Sequence, residues 1–350
     1  SSRWQNRPMR AVWMTSRGGP EVLRYGEMAP PTLEAGQVRV AVKAVALNHL
    51  DVWVRKGVAS PQLPLPHILG CDIAGEVESV GAGVSGIKPG DAVVVNPGVS
   101  CGRCQRCLAG QDNLCPEYQI LGEHRWGGYA ELVTVPAANV LPKPAGLSWL
   151  EAASLPLTFL TAWQMVVDKL QVRPGEDVLV MAAGSGVSVA AIQIAKLHGA
   201  RVIATASSDA KLAKAKALGA DEGVNYSHSD WHKEVRRLTG GKGADAVVDH
   251  TGAQYWEGVI KATAWGGRIS LAGASSGYEA ITPLSHIFYR QLSIFGSTMA
   301  SKSRLFPILK FVEARQLVPV VGTTLPLSQA AEGHRLLETR SVFGKVVLEV

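Results

Sequence analysis

Alternating apolar and polar positions dominate the first part of the chain. Residues 37–48 (QVRVAVKAVALN), 72–81 and 91–98 read as short strands, and glycine and proline fall between the apolar runs. The Pro89-Gly90-Asp91 step is typical of a turn, because proline presets one backbone dihedral and glycine tolerates the next. This pattern predicts an all-β unit up to about residue 155.

The pattern changes to strand and helix in alternation after residue 170. Apolar runs at 177–183, 201–207, 244–252, 267–274 and 292–298, with the short GVNY at 223–226, are predicted to form six strands. Helical segments at 189–199 and 209–220 each carry a glycine near the end, which is a common helix stop. Strands linked by helices predict a doubly wound parallel sheet, and the fold class is therefore α/β.

Four of the five cysteines form one cluster with the spacing C-x2-C-x2-C-x7-C: Cys101, Cys104, Cys107 and Cys115. Such spacing lets short loops turn four thiolates toward one tetrahedral Zn²⁺, and four protein ligands leave no open position for chemistry. A disulfide cluster is the alternative. The start of the chain lacks the pattern of a secretory signal peptide, so we expect a cytoplasmic, reduced protein and favour structural zinc.

Composition and charge narrow the range of partners. The chain has 350 residues, of which 47% are hydrophobic and 18% charged, which suits a globular protein with two cored domains. The net charge of +6 is scattered along the sequence, and no apolar run is long enough to span a bilayer. We therefore expect a small-molecule substrate, with neither nucleic acid nor membrane as a partner.

A small-residue turn, AGSGVS at residues 183–188, separates the first predicted strand of the second part from its helix. Strand, small-residue turn and helix together are the usual setting for a dinucleotide pyrophosphate, which binds the free N–H groups of the helix N-terminus. The match to G-x-G-x-x-G is imperfect, because alanine and two serines stand where glycines are usual. The expected contacts are Gly184, Ser185, Gly186 and Val187.

The end of the second strand decides between the two nicotinamide dinucleotides. NAD-binding sheets usually place a carboxylate there to hold the ribose hydroxyls. This chain has Ser207 at that position, and Lys211 follows one helical turn later. Asp209 is better explained as a residue of the helix start. The absence of a carboxylate favours NADP(H) over NAD(H).

Taken together, these motifs resemble the medium-chain dehydrogenase/reductase superfamily, in its zinc-type alcohol dehydrogenase-like and quinone oxidoreductase-like branch. The matching motifs are LNHLD (47–51), LGCDIAG (69–75), GGYAE (127–131), LTAW (160–163) and GKVVL (344–348). The resemblance implies a GroES-like domain at 1–157 and 297–350, with a zinc lobe at about 96–118. It also implies a Rossmann domain at 158–296 and a homodimer or homotetramer built on the strand at 292–298.

The resemblance also adds cofactor contacts outside the small-residue turn. In the family, residues at matching places touch the cofactor phosphates or nicotinamide, or lie at the strand ends where open α/β sheets bind ligands. With Tyr226, which ends GVNY, the additional predicted cofactor-binding residues are Thr161, Tyr226, Thr251, Gly252, Gly273, Ala274 and Lys345.

This chain departs from the family at the catalytic zinc. Zinc alcohol dehydrogenases of the family hold that ion with a Cys, a His and a second Cys, often beside a Glu. Asn48 stands at the first Cys, Cys71-Asp72 at the His-Glu pair and Leu157 at the last Cys. Asparagine is a poor zinc ligand and leucine is none, which predicts a protein whose only zinc is structural.

Hydride transfer without a metal is the reaction that remains. The cofactor carries the reactivity, and the substrate needs a hydrogen-bond donor on its carbonyl oxygen. Asn48 is the candidate donor, or it orients the nicotinamide ribose, whereas a turn-capping role is its structural alternative. Asp51 is expected to support this loop by hydrogen bonding. Leu50 and Trp53 stand at the family's proton-relay positions, so the usual relay is also missing.

The sequence therefore predicts an NADPH-dependent reductase of quinones or conjugated carbonyls. An alcohol dehydrogenase with a rebuilt metal site is the alternative, in which His49, His67 or His124 would join Cys71 and Asp72. A cofactor-binding protein with little turnover is a third hypothesis, because the cofactor-binding motifs are intact whereas the catalytic zinc ligands are missing.

Overall fold

The structure is a computed structural model that describes residues 7–228 and 230–350. Its strands are β1 Met9–Met14, β2 Leu23–Met28, β3 Gln37–Ala46, β4 Asp72–Val80, β5 Ala92–Val95, β6 Gly98–Val99, β7 Gln119–Ile120, β8 Leu132–Pro136, β9 Val140–Pro142, β10 Asp177–Val180, β11 Arg201–Ala206, β12 Glu222–Asn225, β13 Ala244–Asp249, β14 Thr263–Leu271, β15 Ser293–Gly296, β16 Val321–Pro326 and β17 Lys345–Glu349.

The α-helices are short, and none of those described is long and apolar enough to cross a bilayer. They are α1 His49–Lys56, α2 Gln105–Leu108, α3 Trp149–Ala153, α4 Pro156–Trp163, α5 Gly186–Leu197, α6 Asp209–Ala217, α7 Trp231–Leu238, α8 Ala253–Ala262, α9 Leu284–Arg290, α10 Leu305–Glu313 and α11 Ala330–Glu338. A π-helical segment, Gln164–Lys169, follows α4 directly.

The chain divides into two compact units. Unit 1 comprises the chain up to Leu157, Ser301–Ala314 and Pro319–Val350, and unit 2 comprises Thr158–Ala300 and Arg315–Val318. Unit 1 is built on a seven-stranded sheet in the order β16-β17-β3-β4-β5-β9, and β8 also pairs with β3. Strand β3 alternates as predicted, so that Val38, Val40 and Val42 are buried while the residues between them are half-buried.

Strand pairing in unit 1 brings three distant parts of the chain to one edge. β3 is antiparallel to both of its neighbours β4 and β17, and Ala46 at its end lies opposite Asp72 and Val347. The end of β3 therefore meets the starts of β4 and β17. Asn48, Asp72 and Lys345 follow or begin these strands, so they share this edge although the chain separates them widely.

Unit 2 contains the predicted doubly wound parallel sheet. Its six strands run in the order β12-β11-β10-β13-β14-β15, and every pairing between them is parallel. The central residues Leu179, Ile203, Val247 and Ile269 are fully buried, as expected for a sheet covered by helices on both faces. The prediction of an α/β fold with a GroES-like unit and a Rossmann sheet is confirmed.

The boundaries of the first strand and helix of unit 2 differ from the prediction. β10 ends at Val180 rather than at 183, because the chain enters a turn in which Ala182 adopts a left-handed φ of 53°. α5 begins at Gly186 rather than at 189, since the Ser185 hydroxyl caps it by accepting the backbone N–H of Ser188 at 3.3 Å. The connection between β10 and α5 is therefore displaced three residues toward the N-terminus, and α5 begins three residues and ends two residues earlier than the apolar pattern indicates.

Candidate functional site

The four clustered cysteines of unit 1 form a ready metal site. Their Sγ atoms all lie within 4.8 Å of one another, and the Cys104–Cys107 and Cys101–Cys107 separations are 3.5 and 3.9 Å. Tetrahedral zinc with Zn–S bonds of about 2.3 Å places its sulfurs about 3.8 Å apart. Thus the four thiolates have the spacing that Zn²⁺ requires.

Backbone N–H groups stabilise these sulfurs as thiolates. The N–H of Cys104 points to Cys101 Sγ at 3.4 Å, and the N–H of Cys107 points to Cys104 Sγ at 3.5 Å. N–H donors from Arg103 and Cys104 lower the pKa of Cys101 to about 6. Because zinc binds the deprotonated sulfur, this electrostatic environment favours metal binding.

The carboxyl edge of the unit 2 sheet gathers most of the predicted cofactor residues. Ser185 and its neighbours follow β10, whereas Thr251 and Gly252 follow β13. Gly252 has a φ of 81°, and a Cβ there would lie 2.7 Å from the Cα of Ala274, which follows β14. Only glycine fits this close approach of two strand ends. Such an edge, with a helix N-terminus pointing at it, suits a dinucleotide.

Ser188 stands at the position of the third glycine of the G-x-G-x-x-G motif, and His250 is hydrogen-bonded to it. Ser188 is fully buried, and its hydroxyl donates to the carbonyl of Met181 at 2.5 Å. His250 Nε2 lies 2.8 Å from Ser188 Oγ and 2.9 Å from Ser185 Oγ. Since the Ser188 proton is used on Met181, Nε2 donates to Ser188. Sequence reasoning missed His250, because its role depends on β13 lying next to β10.

The end of β11 carries no carboxylate, as the sequence requires. Ser207 is exposed there, and the hydroxyl of Ser208 caps α6 by accepting the backbone N–H of Lys211 at 3.3 Å. Tyr226, which follows β12, stacks on Tyr255 with ring centroids 4.6 Å apart. These residues border the carboxyl edge of the sheet. Thr161 is buried on α4 of the same unit.

A buried cluster of polar side chains occupies the shared edge of β3, β4 and β17 in unit 1. Lys345 Nζ lies 2.6 Å from Asn48 Oδ1 and 3.3 Å from Asp72 Oδ2, and Asn48 Nδ2 donates to Asp72 Oδ2 at 2.9 Å. The Lys345 and Asp72 side chains are 6% and 0% exposed. The contacts of Lys345 therefore lie in unit 1, whereas the other predicted cofactor residues belong to unit 2.

The residues at the family's catalytic zinc positions meet here without forming a metal site. Leu157 contributes its backbone N–H, which donates to Asp72 Oδ1 at 2.7 Å, and its side chain offers no ligand atom. Burial, with Asp72 and Asp51 nearby, raises the pKa of Cys71 well above its ordinary range, so its thiol stays protonated. The ammonium of Lys345 already supplies the positive charge. A second zinc ion does not fit this residue set.

Two of the three histidines that might have rebuilt a metal site are engaged elsewhere. His67 Nε2 lies 2.9 Å from the carbonyl of Gly122, and His124 Nδ1 accepts the N–H of Ile120 at 3.0 Å. Across residues 7–228 and 230–350, the only group of three or more His, Cys, Asp or Glu side chains with metal-binding spacing is the four-cysteine cluster.

Asp51 ties together the two loops that carry the cluster. Its carboxylate accepts the backbone N–H of Asn48 at 2.8 Å and that of Gly70 at 3.0 Å. Burial raises the pKa of Asp51 to about 6, although both N–H donors oppose the rise. Asp51 thus fixes Asn48 from one side and the approach to β4 from the other, as a support for the loop.

A chain of buried hydrogen bonds leads away from Asp51. Arg55 can only donate, so His334 Nδ1, 2.8 Å from it, must accept, and Nε2 then donates to the Tyr129 hydroxyl at 3.0 Å. The Tyr129 proton is left for Asp51, with which its side chain bonds. Burial, followed by Arg55, lowers the pKa of His334 to about 3, so the ring is neutral. The sequence gives no sign of this chain.

Comparison with known proteins identifies both units of the chain. The sequence model described as Alcohol dehydrogenase GroES-like domain matches residues 34–145, and the one described as Zinc-binding dehydrogenase matches residues 186–314. The first match covers the four cysteines and the Asn48 and Asp72 loops. The second begins at Gly186, where α5 starts, and covers the ends of strands β11 to β15 of unit 2.

Individual proteins are similar over almost their whole length. The NAD-dependent alcohol dehydrogenase of Sulfurisphaera tokodaii is 34% identical over 97% of this chain and 99% of its own. The quinone oxidoreductase of Rattus norvegicus is 29% identical over 97% of both chains. A crystal structure of an NAD-dependent alcohol dehydrogenase is 74% identical, covers 98% of this chain and 100% of its own, and superposes with a TM-score of 0.96.

The four-thiolate geometry predicts about one zinc ion per chain. In Cys104→Ser the zinc content should fall to near zero and the melting temperature should drop, because a structural zinc site contributes directly to folding. Cys71→Ser is the matched control, since it removes the one cysteine outside the cluster. Elemental analysis and thermal denaturation measure both effects. Two zinc ions in the unaltered protein, one of them lost in Cys71→Ser, would contradict the assignment.

Proposed function

The chain belongs to the medium-chain dehydrogenase/reductase superfamily, in its zinc-type alcohol dehydrogenase-like branch, and on that premise we propose a reductase that needs no catalytic metal. Its substrates would be quinones or conjugated carbonyl compounds. The reduced nicotinamide supplies a hydride when it is bound, and the protein positions the substrate oxygen. The enzyme class, an NAD(P)-dependent oxidoreductase, is shared by the alcohol dehydrogenases and quinone oxidoreductases it resembles.

One observation carries this proposal. The residues at the zinc-ligand positions are closed into a hydrogen-bonded cluster around Lys345, with Asp72 accepting from Leu157, Asn48 and Lys345. A metal ion would have to displace the ammonium and would find as ligands one carboxylate, whose two oxygens already accept hydrogen bonds, and one buried thiol. A quinone or enone accepts a hydride without a Lewis acid, so this cluster suits such substrates.

An alcohol dehydrogenase is the second candidate. Two similar proteins, the one from Sulfurisphaera tokodaii and the one in the 74% identical crystal structure, are named alcohol dehydrogenases, which favours this candidate. Because the similarity spans both units, it supports the same mode of cofactor binding. The similarity does not supply metal ligands at Asn48 or Leu157.

We propose NADP(H) as the preferred cofactor, because Ser207 leaves the end of β11 without a carboxylate that would repel a 2′-phosphate. The names of the two alcohol dehydrogenases above favour NAD(H) instead. A four-thiolate zinc site also requires reduced cysteines, so we propose a reducing compartment such as the cytoplasm.

We also propose that unit 2 self-associates through β15, as a dimer or a dimer of dimers. Within the described part of the chain, β15 pairs with β14 alone and so presents an open edge. Apolar side chains on and near it are exposed, among them Ile294 at 37% and Phe288 at 72%. Exposed edges and apolar patches of this kind are usually covered by a partner.

A matched substrate panel tests the proposed reaction. Cyclohex-2-enone and 1,4-naphthoquinone should be reduced with NADPH, whereas cyclohexanone, the saturated counterpart, and simple alcohols should react slowly or not at all. Mild chelation with EDTA should leave the rate unchanged, since no catalytic ion is present. Cofactor absorbance at 340 nm follows each reaction.

The opposite pattern would overturn the proposal. Fast alcohol oxidation that EDTA abolishes, in a protein with two zinc ions per chain, would establish the alcohol dehydrogenase. Tight cofactor binding without turnover on any substrate would indicate a binding protein.

Replacing Ser207 by Asp tests the cofactor preference. The new carboxylate should repel the 2′-phosphate and accept the ribose hydroxyls, so the Kd for NADPH should rise about tenfold or more while NADH binds more tightly. Ser341→Asp, which adds the same charge at an exposed site in unit 1, should change neither Kd. Fluorescence titration gives both constants. Equal Kd values for the two cofactors in the unaltered protein would remove the preference.

Introducing a charge on the open edge tests self-association. Ile294→Lys should convert the assembly into monomers, because a lysine on an edge strand opposes strand-to-strand pairing. Phe306→Lys, at an exposed aromatic of unit 1, should leave the assembly intact. Sedimentation velocity distinguishes the species. A strictly monomeric unaltered protein at micromolar concentration would contradict the proposal.

A further inference from the structure

The hydrogen bonds of Asn48 leave its side chain without a proton for a substrate. Lys345 can only donate, so the oxygen Oδ1 of Asn48 must face it at 2.6 Å. A carboxylate can only accept, so Nδ2 faces Asp72 at 2.9 Å, and its other proton is directed at Cys71 Sγ, 3.4 Å away. The orientation of the amide is therefore fixed by its partners, and both of its protons are taken.

Lys345 is the group in the cluster that keeps a donor. An ammonium has three protons, and the acceptors around it among the described residues are Asn48 Oδ1 and Asp72 Oδ2. One proton therefore has no protein acceptor there. Asp72 and Cys71 are fully buried, whereas Asn48 and Lys345 retain 6% and 5% exposure. The accessible part of the cluster thus belongs to its amide and its cation, and of these two the cation keeps a proton to donate.

Asp72 holds the ammonium in place. Its Oδ1 accepts the N–H of Leu157 at 2.7 Å, and its Oδ2 accepts hydrogen bonds from both Asn48 and Lys345. Because all of these contacts are made by residues at the ends of packed strands or at the start of α4, the position of Nζ is set by the unit 1 sheet. A cation fixed in this way is preorganised for charge that develops on a nearby oxygen.

We propose that Lys345 is the catalytic residue that replaces the metal: its ammonium donates a hydrogen bond to the substrate carbonyl oxygen and then transfers a proton to it. This inference rests on the proposed reductase function and names the residue that would polarise the substrate carbonyl. As the hydride adds to the conjugated carbon, the C=C π pair shifts toward the carbonyl carbon and the carbonyl π pair moves to oxygen, where an Nζ–H bond breaks while an O–H bond forms. The substrate thereby gains one hydride and one proton and becomes the enol or hydroquinone, and the resulting lysine amine regains its proton from water.

Lys345→Met tests the role directly, because methionine retains the length of the side chain and removes the charge. With the enone that the unaltered protein reduces, kcat should fall about 10²–10⁴-fold, the range typical of a lost general acid. The Kd for the cofactor and the zinc content should not change. Lys143→Met removes a half-buried lysine of unit 1 that donates to the carbonyls of Pro144 and Leu147 and lies over the ring of Trp149, and its kcat should stay the same.

Two further variants separate catalysis from folding. Lys345→Met leaves the buried Asp72 without its cation, so the double variant Asp72→Asn/Lys345→Met supplies a neutral pair that should fold and bind cofactor yet remain as slow. In Lys345→Ala, ethylammonium added to the buffer should restore part of kcat in a saturable manner. A purely structural lysine would not give that rescue.

The outcomes distinguish this inference from the function on which it rests. Full kcat in Lys345→Met or in the double variant, with turnover intact in the unaltered protein, overturns the role of Lys345 alone. Absence of enone and quinone turnover in the unaltered protein overturns the reductase proposal and this inference with it. A slow, folded variant with normal cofactor affinity that ethylammonium rescues supports both.

Discussion

The ion pair between Lys345 and Asp72 is the interaction on which the proposed chemistry of unit 1 depends. Both charges are buried, and a buried charge that loses its partner costs about 3–5 kcal/mol of stability. The pair is tolerated because Asp72 also accepts hydrogen bonds from Leu157 and Asn48, so neither oxygen is left unsatisfied. Its location follows from strand pairing, since β4 and β17 both start beside the end of β3.

The two units compensate for lost family residues in the same physical way. In unit 1 an internal cation and an amide fill the place of a metal. In unit 2 Ser188 replaces the third glycine of the dinucleotide-binding motif. Its buried hydroxyl donates a hydrogen bond to the Met181 carbonyl and accepts one from His250. A polar group introduced into a packed turn is stable only when each of its donors and acceptors finds a partner. Both replacements meet that condition, which explains why they are compatible with the fold.

Local patterns carried most of the fold prediction, whereas the arrangement inside the site depended on contacts distant in sequence. The six strands of unit 2 and the cysteine cluster were predictable because apolar runs and thiol spacing are local signals. Leu157 and Asn48 could be recognised as departures from a metal site because the neighbouring motifs match them to the family's zinc-ligand positions. The place of Lys345 could not, because its contact with Asn48 joins residues 297 positions apart. The same limit applies to His334, which reaches Tyr129 across 205 positions.

In the proposed reaction, a fixed ammonium would assist the opposite movement of the proton at the substrate oxygen from the one that a zinc ion assists. Alcohol oxidation requires the hydroxyl proton to leave, and zinc assists by lowering the pKa of a bound oxygen from about 16 to about 7. Lys345 in its ammonium form can only donate, so in the proposed reaction it would assist the gain of a proton by oxygen, which accompanies reduction. The reverse reaction would start from the free amine, the same form that the proposed reduction leaves behind, and in that form the buried Asp72 carboxylate lacks its cation. The pairing with Asp72 therefore favours the return of a proton to Lys345, which restores the donor that the proposed reduction consumes.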